Sequence, residues 1–427
     1  MVHAYMNVAT ALTPAVVIGG ELNGLGVCRS LAKSGIPIYV LDAHRRNPAM
    51  WSRYVKAIKV PALHGEPLLT SLQTLHRKVG GNPVIIFTDE MALLTISKYR
   101  DQLSGMYRFR LPGHAAVMML HDKVQFHEFA VANDFPVPNA VIVRHENDLA
   151  GIRQLRFPVI IKPADKRVVH LGAGFRLSTA HDFESATRLS RQLLKAAECI
   201  IVQECVEGPD TSIFFCLFYR AKGKTLAMFT GRKLASTPPG TGSTAYCTEA
   251  GSLAPLLARD TEALMERVEY EGIGSVEYKW DSRSERFVII EPTVGRTDWQ
   301  EEVATLCGVN IPLAAYRDEC DLPPIPAQAL PPIVWQSSLV ERVKAGALAA
   351  NIGLRTVDGY WRAADPLPAF VSYPRDFVIS APSMVRAIAG RIGQRLAGPF
   401  GRLSERGEIG GPKGLPSGSD RAIGTGA

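Results

Sequence analysis

The sequence predicts an α/β domain followed by an α+β region, and three observations support this prediction. Residues 15 to 42 have the pattern of strand, glycine-rich turn, helix and strand that begins a doubly wound parallel sheet. After residue 116, strands and helices follow in the mixed order of an α+β fold. Two later strands each carry a glutamate inside an apolar run, Ser275 to Tyr278 and Val288 to Glu291.

The first predicted domain spans residues 1 to 115. Apolar runs predict strands at Ala15 to Ile18, Ile36 to Leu41 and Pro83 to Phe87, and a helical pattern runs from Leu68 to Val79. The alternation of strands and helices favours a parallel sheet covered by helices.

The glycine-rich turn leaves one alternative open, a nicotinamide-dependent oxidoreductase. Glycines let backbone amides approach a pyrophosphate at a helix N-terminus. However, Gly20, Gly24 and Gly26 do not have the GxGxxG spacing. Asp42, at the end of the second strand, is also a residue that any turn accommodates.

The second predicted unit, residues 116 to 205, begins with a helix from Val117 that carries Asp122 and Lys123. A polar loop from Pro163 to Gly174 contains glycines that would let it close over phosphates. The remaining predicted elements are the strand Ala140 to Val143, the strand Phe157 to Lys162, the helix Asp182 to Ala197 and the strand Cys199 to Gln203.

The third predicted unit covers residues 206 to 325 and contains strands from Thr211 through Phe229, then a hairpin of Gly274 to Trp280 with Arg286 to Glu291. A proline-rich linker, Asp321 to Pro332, follows. The sequence then predicts a poorly patterned extension over 326–397 with a helix near Ser383 to Leu396, and a disordered tail over 398–427.

Composition and charge restrict the classes of function that this chain can have. The chain has 427 residues, 46% of them hydrophobic and 21% charged, which is typical of a soluble enzyme of several domains. Its seven cysteines form no CxxC pair, so we expect thiols in a reducing, cytoplasmic compartment. We expect neither a secretory leader nor a membrane-spanning helix. The net charge of +7 favours anionic ligands, and the absence of an HExxH motif excludes that type of zinc hydrolase.

Charged residues at strand ends are the strongest functional signal. Lys162 ends an apolar strand before the glycine-containing loop, where its ammonium group can reach nucleotide phosphates. The segment Gln203 to Asp210 leads from a strand into a polar turn that can bind adenine and ribose. Glu277 and Glu291 lie on paired apolar strands, where buried carboxylates are costly unless they pair with cations or bind a metal such as Mg²⁺.

A pair of adjacent cations, Arg232 and Lys233, precedes a loop rich in glycine and proline. These cations could hold an anionic group such as a carboxylate or a phosphate. A basic edge strand beside a flexible loop is the structural alternative. Phosphoryl transfer depends mainly on cations and alignment, which is what this set of residues offers.

The order of these residues resembles the ATP-grasp superfamily. The resemblance rests on Lys123, Lys162, the segment Gln203 to Asp210, Glu277 and Glu291, and it extends over residues 15 to 320. It is strongest to the branch of carboxylate–amine ligases that includes D-aspartate ligases, and more distant to D-alanine:D-alanine ligases. It implies a pre-ATP-grasp domain followed by a two-lobed ATP-grasp clamp.

The resemblance also implies an activity and its site. It implies ATP-dependent formation of an amide or peptide-like bond through an acyl-phosphate, with ADP and phosphate released. Thr293 stands where the family usually has asparagine. The implied roles are phosphate binding by Lys123 and Lys162, nucleotide binding by Gln203 and by the backbone of Glu204 and Val206, ribose binding by Asp210, coordination of Mg²⁺ (or Mn²⁺) by Glu277, Glu291 and Thr293, and catalysis by Arg232, Lys233 and Arg296.

The expected partners are a small-molecule carboxylate and a small-molecule amine, with no nucleic acid. A homodimer is an open alternative, and a noncatalytic nucleotide-binding protein is the third functional alternative, supported only by Thr293. The C-terminal helix would combine an apolar stripe with basic residues, which also leaves peripheral contact with the inner face of the membrane open. Its stripe consists of Met384, Val385, Ile388, Ile392 and Leu396, and its basic residues are Arg386, Arg391 and Arg395.

Overall fold

The fold is that of a computed structural model, which describes residues 12–164, 178–240, 242–338 and 353–377. Most of the predicted phosphate-binding loop, the predicted helix near Ser383 to Leu396 and the tail 398–427 lie outside the described residues. Within the described ranges, no helix has both the length and the apolar character needed to cross a membrane.

The N-terminal domain is a four-stranded parallel sheet with helices packed against it, which confirms the predicted α/β class. The strand order is β3-β2-β1-β4. Gly24 is required for close packing of the first helix on the sheet, because a Cβ atom there would lie 2.2 Å from the carbonyl oxygen of Gly19. The elements are β1 Ala15–Ile18, α1 Leu22–Ala32, β2 Ile38–Asp42, β3 Val55–Lys59, α2 Gly65–Val79, β4 Val84–Phe87, α3 Glu90–Lys98 and α4 Arg100–Leu103.

A second, antiparallel sheet of four strands forms the small lobe in the order β5-β8-β6-β7. The sequence predicted that Asp122 lies inside one helix from Val117, and this prediction is wrong. Asp122 separates two helices and caps the second by accepting hydrogen bonds from the backbone N–H groups of Val124 and Gln125, both at 2.9 Å. The elements are α5 His114–His121, α6 Lys123–Ala132, β5 Ala140–Val143, β6 Val159–Pro163, β7 Ser178–Ala180, α7 Phe183–Leu194 and β8 Ile200–Glu204.

The large lobe is built on a seven-stranded sheet with the order β13-β12-β9-β10-β11-β14-β15. The predicted hairpin is present as β12 and β13, at one edge of this sheet. The parallel sheet of the N-terminal domain and the mainly antiparallel sheets of the two lobes together confirm the predicted α/β and α+β fold class. The elements are β9 Ile213–Ala221, β10 Lys224–Thr237, β11 Ser243–Glu249, α8 Ala254–Arg267, β12 Gly272–Asp281, β13 Arg286–Val294, α9 Glu302–Leu306, α10 Ile311–Glu319, β14 Val334–Gln336 and β15 Thr356–Asp358. Short 3₁₀ helices occur at Pro48–Trp51, Glu146–Gln154, Asp210–Ser212 and Gly251–Leu253.

The C-terminal part of the described chain is integrated into the fold. β14 pairs with β11, and β15 extends the sheet by one more strand. Residues 367–377 are helical. The buried Arg29 of α1 donates to the Asp365 carboxylate at 3.0 Å and to the carbonyl oxygens of Gly359 and Tyr360 at 2.8 and 2.7 Å. This charged anchor binds the extension to the first domain.

The N-terminal domain and the large lobe share a hydrophobic core. Val17 of β1 belongs to the same buried cluster as Phe215 and Leu217 of β9. At the carboxyl end of the parallel sheet, the Asn23 amide donates to the carbonyl oxygens of Thr88 at 2.8 Å and Thr297 at 3.3 Å. The loop after β13 is therefore held against the N-terminal domain, and this arrangement positions the candidate site.

Candidate nucleotide and metal site

One small cavity between the two lobes brings together four of the predicted site residues. Lys123 at the start of α6, Lys162 near the end of β6, Gln203 on β8 and Glu291 on β13 line it. Its volume is about 30 Å³, far less than a nucleotide needs. A nucleotide could occupy this cavity only if the cavity were wider than it is in this structure.

Local structure explains why the two lysines lie close together. The backbone N–H of Lys123 donates to the carbonyl oxygen of Ala164 at 3.3 Å, so the first turn of α6 is tied to the chain just after β6. The Lys162 ammonium donates to the Gln203 side-chain oxygen at 3.5 Å. Two cations beside a helix N-terminus form an electrostatic environment that suits phosphate groups.

The segment after β8 connects the lobes. The Glu204 N–H donates to the carbonyl oxygen of Asn139 at 2.8 Å, so this N–H group is not available to a ligand in the present structure. The Glu204 carboxylate accepts a hydrogen bond from the guanidinium of Arg156 at 3.1 Å. These contacts fix the connection between the lobes.

Asp210, the predicted ribose ligand, lies at the start of the large lobe. Its carboxylate accepts hydrogen bonds from the backbone N–H of Ser236 at 2.7 Å and from that of Gly240 at 2.9 Å. The same carboxylate therefore fixes the end of β10 and the turn that follows it. A ribose hydroxyl would be an additional partner on this carboxylate.

The two predicted metal ligands lie directly opposite each other. Glu277 of β12 pairs with Glu291 of β13, so both side chains point to the same face of the sheet. Thr293 pairs with Ser275 two positions further on, on the same face. The Lys233 ammonium forms an ion pair with the Glu277 carboxylate at 2.5 Å.

Burial and charge pairing shift the pKa of each partner in this ion pair in opposite directions. Burial raises the pKa of Glu277, and Lys233 opposes that rise. Burial lowers the pKa of Lys233, but Glu277, Asp298 and Asp210 together outweigh this effect, so the pKa of Lys233 is raised. Lys233 therefore remains a cation over the physiological pH range, in a position to neutralise Glu277.

The residues fit a magnesium ion that is shared with a nucleotide. Mg²⁺ is typically held by one or two protein carboxylates, and substrate phosphates and water complete its octahedron. Glu277 and Glu291 supply two carboxylates on one face. Among the described residues no group of three Asp, Glu, His or Cys side chains could hold a metal without such help.

Two of the three predicted catalytic cations point to opposite faces of one strand. Lys233 faces the glutamates, whereas Arg232 points to the opposite face of β10, where its guanidinium lies 5.5 Å from the ring centre of Phe214. Arg232 also donates to the carbonyl oxygen of Thr211 at 2.7 Å. Arg296 lies at the N-terminal domain, where burial raises the pKa of Asp89 and the charge of Arg296 opposes the rise.

Sequence reasoning missed Asp298. Its carboxylate accepts a hydrogen bond from the Ser275 hydroxyl at 3.0 Å and another from the Gln300 amide at 3.1 Å. Its charge raises the pKa of both Glu277 and Lys233, so it belongs to the same electrostatic group. The only signal in the sequence was an acidic residue close after Glu291 and Arg296.

Two histidines of the cavity were also missed. His121 and His127 line it beside the lysines, and the His121 ring lies 3.1 Å from the Glu90 carboxylate. Burial lowers the pKa of His127, which therefore stays neutral at pH 7. Among the described residues, neither the Nε2 atom of His121 nor the Nδ1 atom of His127 has a hydrogen-bond partner.

The glycine-rich turn does not favour the dinucleotide alternative. The Asp42 carboxylate, which would bind ribose in such a site, accepts hydrogen bonds from the Gly20 N–H at 2.6 Å and from the Asn47 amide at 2.8 Å. The acid therefore stabilises the turn itself.

Glu301 leads to a prediction about stability. Both of its carboxylate oxygens are buried and have no hydrogen-bond partner among the described residues, and burial raises its pKa to about 8. Between the unfolded value of 4.5 and this value, the folded state binds the extra proton, so stability falls as pH rises. We expect Glu301→Gln, which cannot ionise, to become more stable relative to wild type by on the order of 3 kcal/mol between pH 5 and pH 8.

Urea unfolding of the two proteins at both pH values measures this difference. Glu301→Gln is the matched isostere, and the exposed Glu184→Gln is the control for a carboxyl group that stays in water. A stability difference between Glu301→Gln and wild type that is the same at pH 5 and pH 8 would show that Glu301 ionises normally in the folded protein.

Comparisons with known proteins extend over most of the chain. D-aspartate ligase of Enterococcus faecium (strain Aus0004) is 23% identical over 317 residues, which are 69% of this chain and 74% of that protein. This similarity confirms the resemblance found in the sequence. No family model matches the chain.

Solved structures share the fold. The ADP complex of N5-carboxyaminoimidazole ribonucleotide synthetase superposes with a TM-score of 0.61 at 17% identity, covering 80% of this chain and 86% of that one. The biotin carboxylase domain dimer of Hydrogenobacter thermophilus 2-oxoglutarate carboxylase, solved with MgADP, ADP and bicarbonate, has a TM-score of 0.58 at 14% identity and covers 76% of this chain and 74% of that one.

Proposed function

We infer that this chain is an ATP-grasp enzyme of the carboxylate–amine ligase branch. It uses ATP and Mg²⁺ to activate a small-molecule carboxylate as an acyl-phosphate and joins it to an amine, releasing ADP and phosphate. The observation that carries this conclusion is the cavity in which Lys123, Lys162, Gln203 and Glu291 meet, with Glu277 directly opposite Glu291.

The two lysines of the cavity serve the phosphates. In the first step a carboxylate oxygen attacks the γ-phosphorus and the bond to the β-phosphate oxygen breaks, so ADP leaves. Negative charge spreads over the transferred phosphoryl group and the leaving group, and fixed cations stabilise such charge. We assign Lys123 and Lys162 to the α- and β-phosphates, because both line the cavity beside the hinge after β8.

The two glutamates would hold the metal. Mg²⁺ bound there would neutralise phosphate charge and align the phosphoryl group. Glu277 and Glu291 present oxygens on one face, and the Thr293 hydroxyl is the proposed further ligand in place of the usual asparagine. Because Glu277 is paired with Lys233, metal binding and the position of the Lys233 ammonium are coupled.

The substrate lies on the side of Lys233 and Arg296 in this proposal. Lys233 faces the glutamates, and Arg296 lies on the loop after β13 against the N-terminal domain, so both can receive the carboxylate and its acyl-phosphate. In the second step the amine nitrogen attacks the acyl carbon, the carbon–oxygen bond to phosphate breaks so that phosphate leaves, and the nitrogen loses a proton to water. Arg232 supports the opposite face of β10 and would act through Thr211.

Other aspects of the assignment remain predictions. These are the domain boundaries at 115, 205, 325 and 397, a cytoplasmic location, a homodimer and peripheral membrane contact. The identity of the carboxylate and of the amine depends on loop shape around the site. The noncatalytic alternative has only Thr293 in its favour.

ADP release tests the proposal. The full-length protein is incubated with ATP, Mg²⁺ and pools of carboxylates and amines, and ADP is measured. We expect ADP only when Mg²⁺ and a suitable carboxylate are present, and a hydroxamate when hydroxylamine replaces the amine. Absence of ADP with every pool, together with binding of NADH by fluorescence, would favour the oxidoreductase alternative instead.

A further inference from the structure

Every exposed aromatic side chain in the described part of the chain lies in one of two segments. Trp51 and Tyr54 follow the loop after β2, and Trp361, Phe370 and Phe377 belong to the C-terminal extension. Phe370 is 65% exposed and Trp361 44%. Aromatic rings are costly to leave in water, and exposed rings concentrated in two segments are typical of an interaction surface.

The two segments touch each other. The Arg53 backbone N–H donates to the Asp365 carboxylate at 2.9 Å, and the Arg53 guanidinium donates to the carbonyl oxygen of Ala364 at 3.2 Å. The Trp361 and Phe370 rings form an edge-to-face pair with centres 6.1 Å apart. We call the surface formed by Arg45, Trp51, Arg53, Tyr54, Trp361 and Phe370 the aromatic–basic face.

The segment that contains Trp51 and Tyr54 carries charge of one sign over a long stretch. Between Asp42 and Glu66 the chain has five basic residues and no acidic one. The indole N–H of Trp51 donates to the backbone oxygen of Arg45 at 2.6 Å, which places the basic loop beside the rings. The five basic residues are Arg45, Arg46, Arg53, Lys56 and Lys59.

We propose that the aromatic–basic face binds an anionic lipid surface. Exposed tryptophan, tyrosine and phenylalanine beside arginines suit the membrane interface, where the rings reach the headgroup level and the cations meet negative headgroups. A protein partner of mixed charge would leave part of the uniformly basic stretch unmatched. A second copy of the chain would bring two such stretches together, and like charges repel.

The sequence that follows the aromatic–basic face is also suited to an anionic lipid surface. Phe377 is exposed at the end of the described residues, and the apolar and basic stripe from Met384 to Leu396 begins seven residues later. An amphipathic segment of this kind can lie in the interface plane. A protein that meets lipid through two signals binds more stably than through one. The proposal itself stands on the described face and does not depend on the ligase activity.

Vesicle co-sedimentation of the full-length protein tests the proposal. Vesicles of phosphatidylcholine with phosphatidylserine are compared with phosphatidylcholine alone, at low and high salt. We expect binding only to the anionic vesicles, weakened by salt. Arg45→Gln with Arg46→Gln should weaken it about 30-fold, since each basic residue near the surface contributes roughly fivefold. Trp361→Ser with Phe370→Ser should weaken it about tenfold or more.

Matched controls lie on the small and large lobes. Arg188→Gln with Lys195→Gln removes two exposed charges elsewhere, and Leu226→Ser removes an exposed apolar side chain elsewhere. These variants should bind as wild type does. All variants should keep the wild-type melting temperature and ADP formation, because none of the substituted residues belongs to the proposed site.

Four results would overturn the proposal. They are no binding by the full-length protein, an equal loss in the control variants, and face variants that bind normally while truncation after Phe377 abolishes binding. The fourth is a wild-type dimer that the face variants convert to a monomer, because a second copy would then cover the face. We expect truncation after Phe377 to weaken binding to anionic vesicles, and the truncated protein should still bind them in a salt-dependent way.

Discussion

Lys162→Met is expected to reduce ADP formation at least about a thousandfold while the protein stays folded. The Lys162 ammonium lines the cavity between the lobes and donates to the Gln203 side-chain oxygen at 3.5 Å. Its charge acts on phosphates that develop negative charge during transfer. Methionine keeps the length and the apolar stem, so the loss falls on the charge.

Steady-state ADP release measures this effect, with urea unfolding as the check on the fold. Lys195→Met is the matched control, since Lys195 is exposed at the end of α7 and away from the cavity. Lys162→Arg should recover part of the activity, because it restores the charge with a different shape. Wild-type turnover in Lys162→Met would remove the phosphate assignment of this residue.

Lys233→Met should destabilise the protein by about 3 kcal/mol and also abolish turnover. The variant leaves the Glu277 carboxylate without its cation in a site that already raises the pKa of Glu277 by burial. The figure is at the lower end of the range for a broken buried pair, because the Glu277 side chain keeps some exposure. The loss of stability should be smaller at low pH, where Glu277 is protonated.

A double variant separates stability from activity. Lys233→Met with Glu277→Gln removes both charges, so we expect most of the lost stability to return while ADP formation stays absent. Urea unfolding near pH 7 and pH 5 and ADP assays at saturating Mg²⁺ give the two readouts. If the double variant is no more stable than Lys233→Met, the destabilisation comes from lost packing and not from the unpaired Glu277.

Long apolar runs made much of the fold predictable. The strand Ala140–Val143 lies where the sequence predicted it, and the hairpin of β12 and β13 is present with slightly longer strands. β14 and β15 have three residues each, too few for a period to be recognised. Their places in the sheet depend on tertiary contacts with β11, which no local pattern specifies.

The site was predictable where spacing and resemblance agreed. Of the predicted residues that line the cavity, Lys162, Gln203 and Glu291 were chosen from strand ends, whereas Lys123 came from a predicted helix and the resemblance. Alternation along a strand could also have separated Arg232 from Lys233, because neighbours in a strand point to opposite faces. Asp298 and His121 lie in a loop and at a helix end, so only the folded chain reveals what their side chains meet.

The buried hydrogen bonds of Arg29 determine when the first domain can finish folding during synthesis. Its hydrogen-bond partners, Gly359, Tyr360 and Asp365, leave the ribosome more than 300 residues after the arginine does. Until then the nascent first domain carries an uncompensated cation on the helix face that must become buried, which keeps that face hydrated and delays its closure. The first domain to be made is therefore among the last to be completed.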